Sequence, residues 1–188
     1  MGRPKEFDPE TALDRAMEVF WRQGFKATSI QDLVEAMGIN RGSLYDTFGG
    51  KDELYQKALA RYCDTRIRGL LDRLAAPGEP REVVREVFAG IAESSGTEEG
   101  KFGCLLTNSA VELAPHCAQT QAAVATSMSR IEDGFCALLQ RGGRHADNAR
   151  AIARFLVGNL QGLSVVAKTT PTREALMDVV DVIVSVIE

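Results

Sequence analysis

The chain has 188 residues, 45% of them hydrophobic and 26% charged, with a formal net charge of −4. That balance excludes a wholly disordered chain, and 17 Gly with 6 Pro are too few for a collagen-like or low-complexity one. No apolar run approaches the ~20 residues of a membrane span, and MGRPKEFDPE has no apolar stretch behind its basic residues, so a cytoplasmic protein without a secretory leader is expected.

The chain reads as helix after helix. Asp8-Pro9 starts the first: Asp caps orphan N–H groups and Pro suits a first turn. Leu13, Ala16, Met17, Phe20 and Trp21 follow as one apolar stripe, and Gly24 ends the segment. Ser29 opens the second, with Asp32 three residues on as a variant of the capping box. Ile30, Leu33, Val34 and Met37 form its apolar face, and Gly38 stops it. Asn40 caps a short third segment from Arg41 to Phe48, closed by Gly49-Gly50. A fourth spans 51–76, up to Pro77-Gly78.

Further helical segments are predicted at Glu82–Ser94, Cys104–Leu113, Pro115–Gln140, Ala146–Lys168 and Thr172–Ile187, about nine in all. The last is rich in β-branched residues (Val179, Val180, Val182, Ile183, Val184, Val186, Ile187), so a strand competes there. Its length favours a helix. The expected fold is all-α, with a helix-turn-helix unit over residues 1–50 and a helical body over 51–188. Helix 51–76 connects the two.

Ser29–Phe48 has the grammar of a helix-turn-helix: two short amphipathic segments joined by Gly38-Ile39-Asn40. Gly42 and Ser43 are small enough for close backbone approach to DNA, and Arg41 can reach a base edge or a phosphate. The overall charge gives no support for nucleic-acid binding, since residues 1–61 hold nine Lys or Arg against ten Asp or Glu. The case rests on placement and motif.

Residues 12–59, ALDRAMEVFWRQGFKATSIQDLVEAMGINRGSLYDTFGGKDELYQKAL, closely resemble the DNA-binding domain of the tetracycline-repressor (TetR) family of bacterial regulators. The elements that match are A-x-x-x-F followed by G-F, T-S-I-x-D-L, and A-M-G-I-N-R-G-S-L-Y-x-x-F-x-x-K-D-E-L. The resemblance implies a homodimer on double-stranded operator DNA, acting as a repressor and released by a small-molecule effector. It places Thr28 and Ser29 at a phosphate, where a helix N-terminus suits an anion. Arg41, Gly42 and Ser43 match base- and backbone-reading positions, Tyr45 an aromatic whose hydroxyl reaches a phosphate, and Lys51 a phosphate clamp. Arg3 and Lys5 precede the first helix, and a basic arm of this kind enters a minor groove in homeodomains.

In the body, the effector-pocket candidates are Phe88, Phe102, Cys104, Leu106, Asn108, Glu112, Met128 and Phe155. Gly158 and Gly162 give a small-residue spacing that permits close helix approach. With Val180, Ile183, Val184 and Ile187 they are the candidate dimer interface.

The four cysteines (63, 104, 117, 136) form no CxxC pair, so reduced thiols are expected. Cys104 is placed at a predicted helix N-terminus next to Lys101, two features that favour a thiolate. The stretch Gly103-Cys104-Leu105 with Ser109-Ala110-Val111-Glu112 also resembles the region through which some TetR-family repressors sense electrophiles. A thiol switch at Cys104 is therefore one alternative, and a helical ligand-binding module without useful DNA binding is another. His116-Cys117 lacks zinc-site spacing, and neither a nucleophile elbow nor a P-loop occurs, so no cofactor, metal or catalytic activity is expected.

Overall fold

The computed structural model describes residues 7–143, 147–169 and 172–187. Among these, every regular element is helical. The arm residues Arg3 and Lys5 lie outside the described residues.

Helix α1 (Pro9–Gln23) begins where the Asp8 carboxylate accepts the N–H groups of Glu10 and Thr11, and it buries Ala12, Ala16, Met17 and Phe20. It ends at Gly24, whose φ of 79° suits glycine. Helix α2 (Ile30–Met37) has a complete capping box: the Ser29 hydroxyl accepts the Asp32 N–H, and the Asp32 carboxylate accepts the Ser29 N–H at 2.8 Å. Gly38 turns left-handed, at φ 68° and ψ 32°. Helix α3 (Arg41–Phe48) starts with the Asn40 side chain accepting the Ser43 N–H at 2.8 Å.

Helix α4 (Lys51–Tyr62) does not run to residue 76 as one regular rod. A π-turn over Cys63–Ile67 links it to α5 (Arg68–Ala75). Helices α6 (Pro80–Ser94), α7 (Leu105–Glu112), α8 (Ala118–Gly142), α9 (Ala149–Val166) and α10 (Arg173–Ser185) complete the body. Helix α8 starts later than Pro115, because Leu113–His116 forms a turn in which the His116 N–H bonds the Leu113 carbonyl at 2.9 Å.

The β-branched run near the C-terminus is helical. Leu176, Val180, Ile183 and Val184 fall on one face of α10 and are buried against α6 and α9, and this tertiary burial overrides local strand preference. Helix α1 packs along α4 and α2, while α8 packs along α9 and α5. Phe20, Phe25 and Tyr55 form an aromatic trio, with the Tyr55 ring 5.0 Å from Phe20 and 5.1 Å from Phe25. The same Tyr55 reaches the body, its hydroxyl 2.8 Å from that of Ser109. No helix among the described residues is long and apolar enough to cross a membrane.

Candidate nucleic-acid interface and effector cavity

Leu33, Met37, Leu44 and Phe48 point α2 and α3 into the core, which leaves the opposite side of α3 open. Arg41 and Gly42 are exposed there, and Tyr45 is 44% exposed rather than packed. The Arg41 guanidinium lies 5.9 Å from the centre of the Tyr45 ring, so the two side chains share one surface. Ser43 is half-buried and its N–H is spent on Asn40. Lys51 opens α4, where a cation works against the helix dipole. Its ammonium sits 4.4 Å over the Phe25 ring instead. Lys57, which the motif did not single out, closes α3 by donating to the Phe48 carbonyl at 3.0 Å.

Ser29 is exposed at the start of α2, but Thr28 is not available to a phosphate. Its side chain is buried, and its hydroxyl donates to the Gly24 carbonyl at 2.6 Å. Thr28 ties the end of α1 to the start of α2, a local role that its motif position did not reveal.

Besides the Arg61 guanidinium of α4, which bonds Asp14 and Glu10 of α1, two side-chain clasps join this unit to α7 and the loop before it. The Glu112 carboxylate, at the end of α7, accepts the N–H groups of Phe25 and Lys26 at 2.9 and 2.7 Å. A Cβ on Gly24 would come within 2.9 Å of the same carboxylate, so this close approach needs the glycine. The Trp21 indole donates to the Gly103 carbonyl at 2.9 Å.

Trp21 is also a wall of a cavity of about 270 Å³. Tyr62, Ile67, Leu70, Ile91, Ile131 and Leu160 supply most of the apolar lining, with Arg66 and Glu99 at one side and Cys104 and Gln161 within it. Of the effector-pocket candidates only Cys104 lines this cavity. Phe102, Asn108 and Glu112 line a separate open cleft of about 450 Å³. Phe88 and Leu106 are fully buried core, and Met128 packs partly buried against that core. Phe155 is 41% exposed on the outer side of α9. The sequence marked apolar helix faces but not which of them leave space between them. Trp21 and Tyr62, contributed by α1 and α4, carry no signal that sets them apart from core residues.

Residues 12–58 match the model of bacterial regulatory proteins of the tetR family, and residues 80–182 match that of the LmrA/YxaF-like transcriptional regulator C-terminal domain. The chain is 35% identical to the HTH-type transcriptional regulator YezE of Bacillus subtilis, with all of both chains covered. The chain belongs to the TetR family.

Another TetR-family relative, the HTH-type transcriptional repressor ComR of Escherichia coli, is 33% identical over 95% of this chain and 88% of its own. The TetR-family regulator CifR, solved as a cysteine mutant with 26-bp operator DNA, superposes with a TM-score of 0.85 at 34% identity, covering 98% of each chain. The protein is therefore a DNA-binding transcriptional regulator and not an enzyme.

Within this TetR-family body the thiols differ in setting. All four are free, with Cys63 and Cys136 buried and Cys104 and Cys117 partly exposed. Cys104 is the residue before α7, and the Lys101 that was expected to act on it pairs with Glu98. The thiol whose ionisation is eased is Cys117, at the start of the 25-residue α8. Hydrogen bonds from the Thr120 side chain, then from the backbone N–H groups of Thr120 and Gln119, hold it below the ordinary thiol value. Cys63 is pushed the other way by burial. Among the described residues no three His, Cys, Asp or Glu side chains converge on a point where a metal ion would bind.

Val180, Ile183, Val184 and Ile187 are no more than 6% exposed, since their spacing turns them into the protein's own core. The outward face of α10 is formed by Val179, Val182 and Val186, with Val182 65% exposed. Gly158 and Gly162 lie on the open side of α9, with nothing within 4 Å of a Cβ built on either, and Phe155, Val165 and Val166 are exposed on the same helix.

Proposed function

We propose that the protein is a homodimeric repressor released from a double-stranded operator by a small molecule that occupies the cavity behind Trp21. The observation that carries this reading is Trp21 itself: it belongs to the helix-turn-helix unit, walls the cavity, and bonds to the loop that leads into α7. In this reading residues 1–50 hold the DNA and 51–188 form the effector-binding and dimerisation domain. Arg41 and Gly42 meet base edges, while Ser29, Ser43, Tyr45 and Lys51 meet the backbone, with Arg3 and Lys5 reaching the minor groove. The exposed apolar faces of α9 and α10 support a two-fold contact between copies, which would set the two reading helices ~34–36 Å apart, one turn of DNA. An effector that prefers another spacing weakens DNA binding by its differential affinity. The Glu112 and Trp21 clasps are the rigid links through which the body would move the reading head. DNA as partner also implies action in the cytoplasm.

Fluorescence anisotropy on the protein's own upstream DNA, against a scrambled fragment of equal length at physiological salt, tests the proposal. Binding at least ~1,000-fold tighter to the native fragment is expected. Equal binding to both, or none, would favour a helical ligand-binding module instead.

A second reading is supported by Cys104, which lines the cavity within reach of the Tyr62 hydroxyl, at 3.6 Å. There an electrophile that alkylates the thiol would take the place of a reversible effector. Cys104→Ser should then abolish release by N-ethylmaleimide while leaving DNA affinity intact. An unchanged response excludes Cys104, and loss only in Cys117→Ser would move the switch to the start of α8.

A further inference from the structure

The lining of the cavity restricts what can occupy it. Its polar groups are nearly all committed within the protein. The Trp21 indole N–H is held by the Gly103 carbonyl at 2.9 Å, and the Ser164 hydroxyl by the Leu160 carbonyl at 2.7 Å. The Gln161 side-chain carbonyl accepts the Thr107 hydroxyl. Arg66 and Glu99 neutralise each other at 3.0 Å, and the guanidinium also lies 5.3 Å from the centre of the Trp21 ring. The two charges of the lining thus offset each other, and its net charge is zero.

Two donors are exceptions: the Gln161 amide N–H2, which makes no hydrogen bond among the described residues, and, more deeply buried, Tyr62. Tyr62 is 5% exposed, and burial pushes its ionisation well above the ordinary phenol value, so it enters the cavity as a neutral O–H donor. Its proton has only the Cys104 sulfur, 3.6 Å away, and a thiol sulfur is a weak acceptor. A buried hydroxyl with so poor a partner gains from any oxygen placed beside it. The volume sets the size: an apolar cavity of about 150 Å³ holds benzene, so about 270 Å³ suits a molecule of roughly ten non-hydrogen atoms.

We infer that the cavity takes a small neutral ligand, apolar over most of its surface, whose single carbonyl or ether-type oxygen accepts the Tyr62 hydroxyl. Recognition is non-covalent, and Tyr62 turns its proton from the Cys104 sulfur to the ligand oxygen. This deepens the effector reading above, but its test needs no DNA, so the two fail separately.

Trp21 is the only tryptophan of the chain and lines both the cavity and the open cleft beside Phe102, so its fluorescence reports a ligand at either, and Tyr62→Phe tells the two apart. Three probes of nearly equal size separate the contributions: benzylacetone, a neutral ketone; butylbenzene, which lacks the oxygen; and hydrocinnamate, which is anionic. Titrated into the full-length protein at neutral pH, benzylacetone should bind saturably and more tightly than butylbenzene, and hydrocinnamate should not bind. Tyr62→Phe keeps the ring against Trp21 and removes only the hydroxyl. It should weaken benzylacetone by about three- to tenfold, the loss of one neutral hydrogen bond, and leave butylbenzene unchanged. Cys104→Ala should not weaken benzylacetone, because it frees the phenol proton.

The inference is overturned by any of four results. These are no Trp21 response to benzylacetone up to its solubility limit, equal loss of both neutral probes in Tyr62→Phe, a loss in Cys104→Ala as large as in Tyr62→Phe, or hydrocinnamate binding as tightly as the ketone. The last would assign recognition to Arg66.

Discussion

In α1, α2 and α3 a side chain closes each N-terminus: Asp8, Ser29 and Asn40. In the body, α6, α7, α8 and α9 start with no side-chain cap, though Thr172 caps α10, and contacts between residues far apart in sequence tie neighbouring helices together. Arg141 of α8 donates to the carbonyls of Leu74 and Ala76 at the end of α5, and Arg150 of α9 reaches Glu132 and Asp133 of α8. The starts of the head's helices are thus specified locally, turn by turn, and the packing of Leu33, Met37, Leu44 and Phe48 sets how α2 and α3 lie. The body is specified by long-range packing, which leaves room for a cavity between helices. The two meet at Tyr55, Glu112 and Trp21.

If that joint makes one cooperative unit of two differently built halves, damage on the head side should lower the stability of the whole. Phe20 is fully buried in the aromatic trio. Phe20→Ala should cost about 3–5 kcal/mol, the range for deleting a core aromatic ring. Urea unfolding followed by circular dichroism should still show one transition, shifted to lower denaturant. Two separated transitions would mean that head and body unfold independently.

The Glu112 clasp tests the joint itself. Glu112→Ala leaves the part-buried N–H group of Phe25 without its carboxylate, so a loss of about 2 kcal/mol is expected, as for a hydrogen bond to a charged group. Glu112→Gln keeps one acceptor oxygen for two donors and should fall between the wild type and the Ala variant. If the clasp carries the signal, Glu112→Ala should also weaken effector-driven release from DNA while sparing affinity in the absence of effector. Anisotropy with and without effector measures both.

Within the head, Arg41 and Lys51 should separate two kinds of contact. Arg41→Ala should cost about 1–3 kcal/mol of DNA affinity and blur discrimination between operator variants. Lys51→Ala should weaken all sequences alike and reduce the salt slope by ~1. A Lys51 variant that changes preference without changing the slope would place that side chain at a base.

The same division explains what the sequence made legible. Asp8, Ser29, Gly38 and Asn40 act on backbone groups within four residues, so their spacing alone announced α1 to α3. The helices of the body were also legible in number and type, because apolar period is a local property. Its cavity was not. Phe88, Leu106 and Cys104 are all apolar or nearly so on helical segments, and only the packing of α1, α4, α6, α8 and α9 decides that Cys104 faces space while Phe88 is enclosed. Thr28 failed for a related reason: a hydroxyl beside a helix start suits a phosphate or a backbone carbonyl equally well, and Gly24 lies close enough to take it. On α10 the apolar residues run almost all round, so which of them face inward depends on α6.

The smallest effects should appear in the pH dependence, and there head and joint should fail at opposite ends. Bonds from the Ser29 N–H and hydroxyl hold Asp32 below its ordinary value of 3.8. A carboxyl lowered in the folded state binds a proton more readily when unfolded. Its contribution is thus present above about the ordinary value and lost as pH falls through the lower folded one. Asp32→Asn should flatten the acid arm of the urea midpoint below that point. Tyr55 is raised above its ordinary value of 10.0, first by burial. Its contribution is whole below that pH and is lost as the pH rises through the folded value, because the unfolded chain ionises first. Tyr55→Phe should flatten the alkaline arm and leave the acid arm alone. Should Asp32→Asn alter the alkaline arm as well, the cap and the joint would be energetically linked, and the head would not be the locally specified unit that its capping describes.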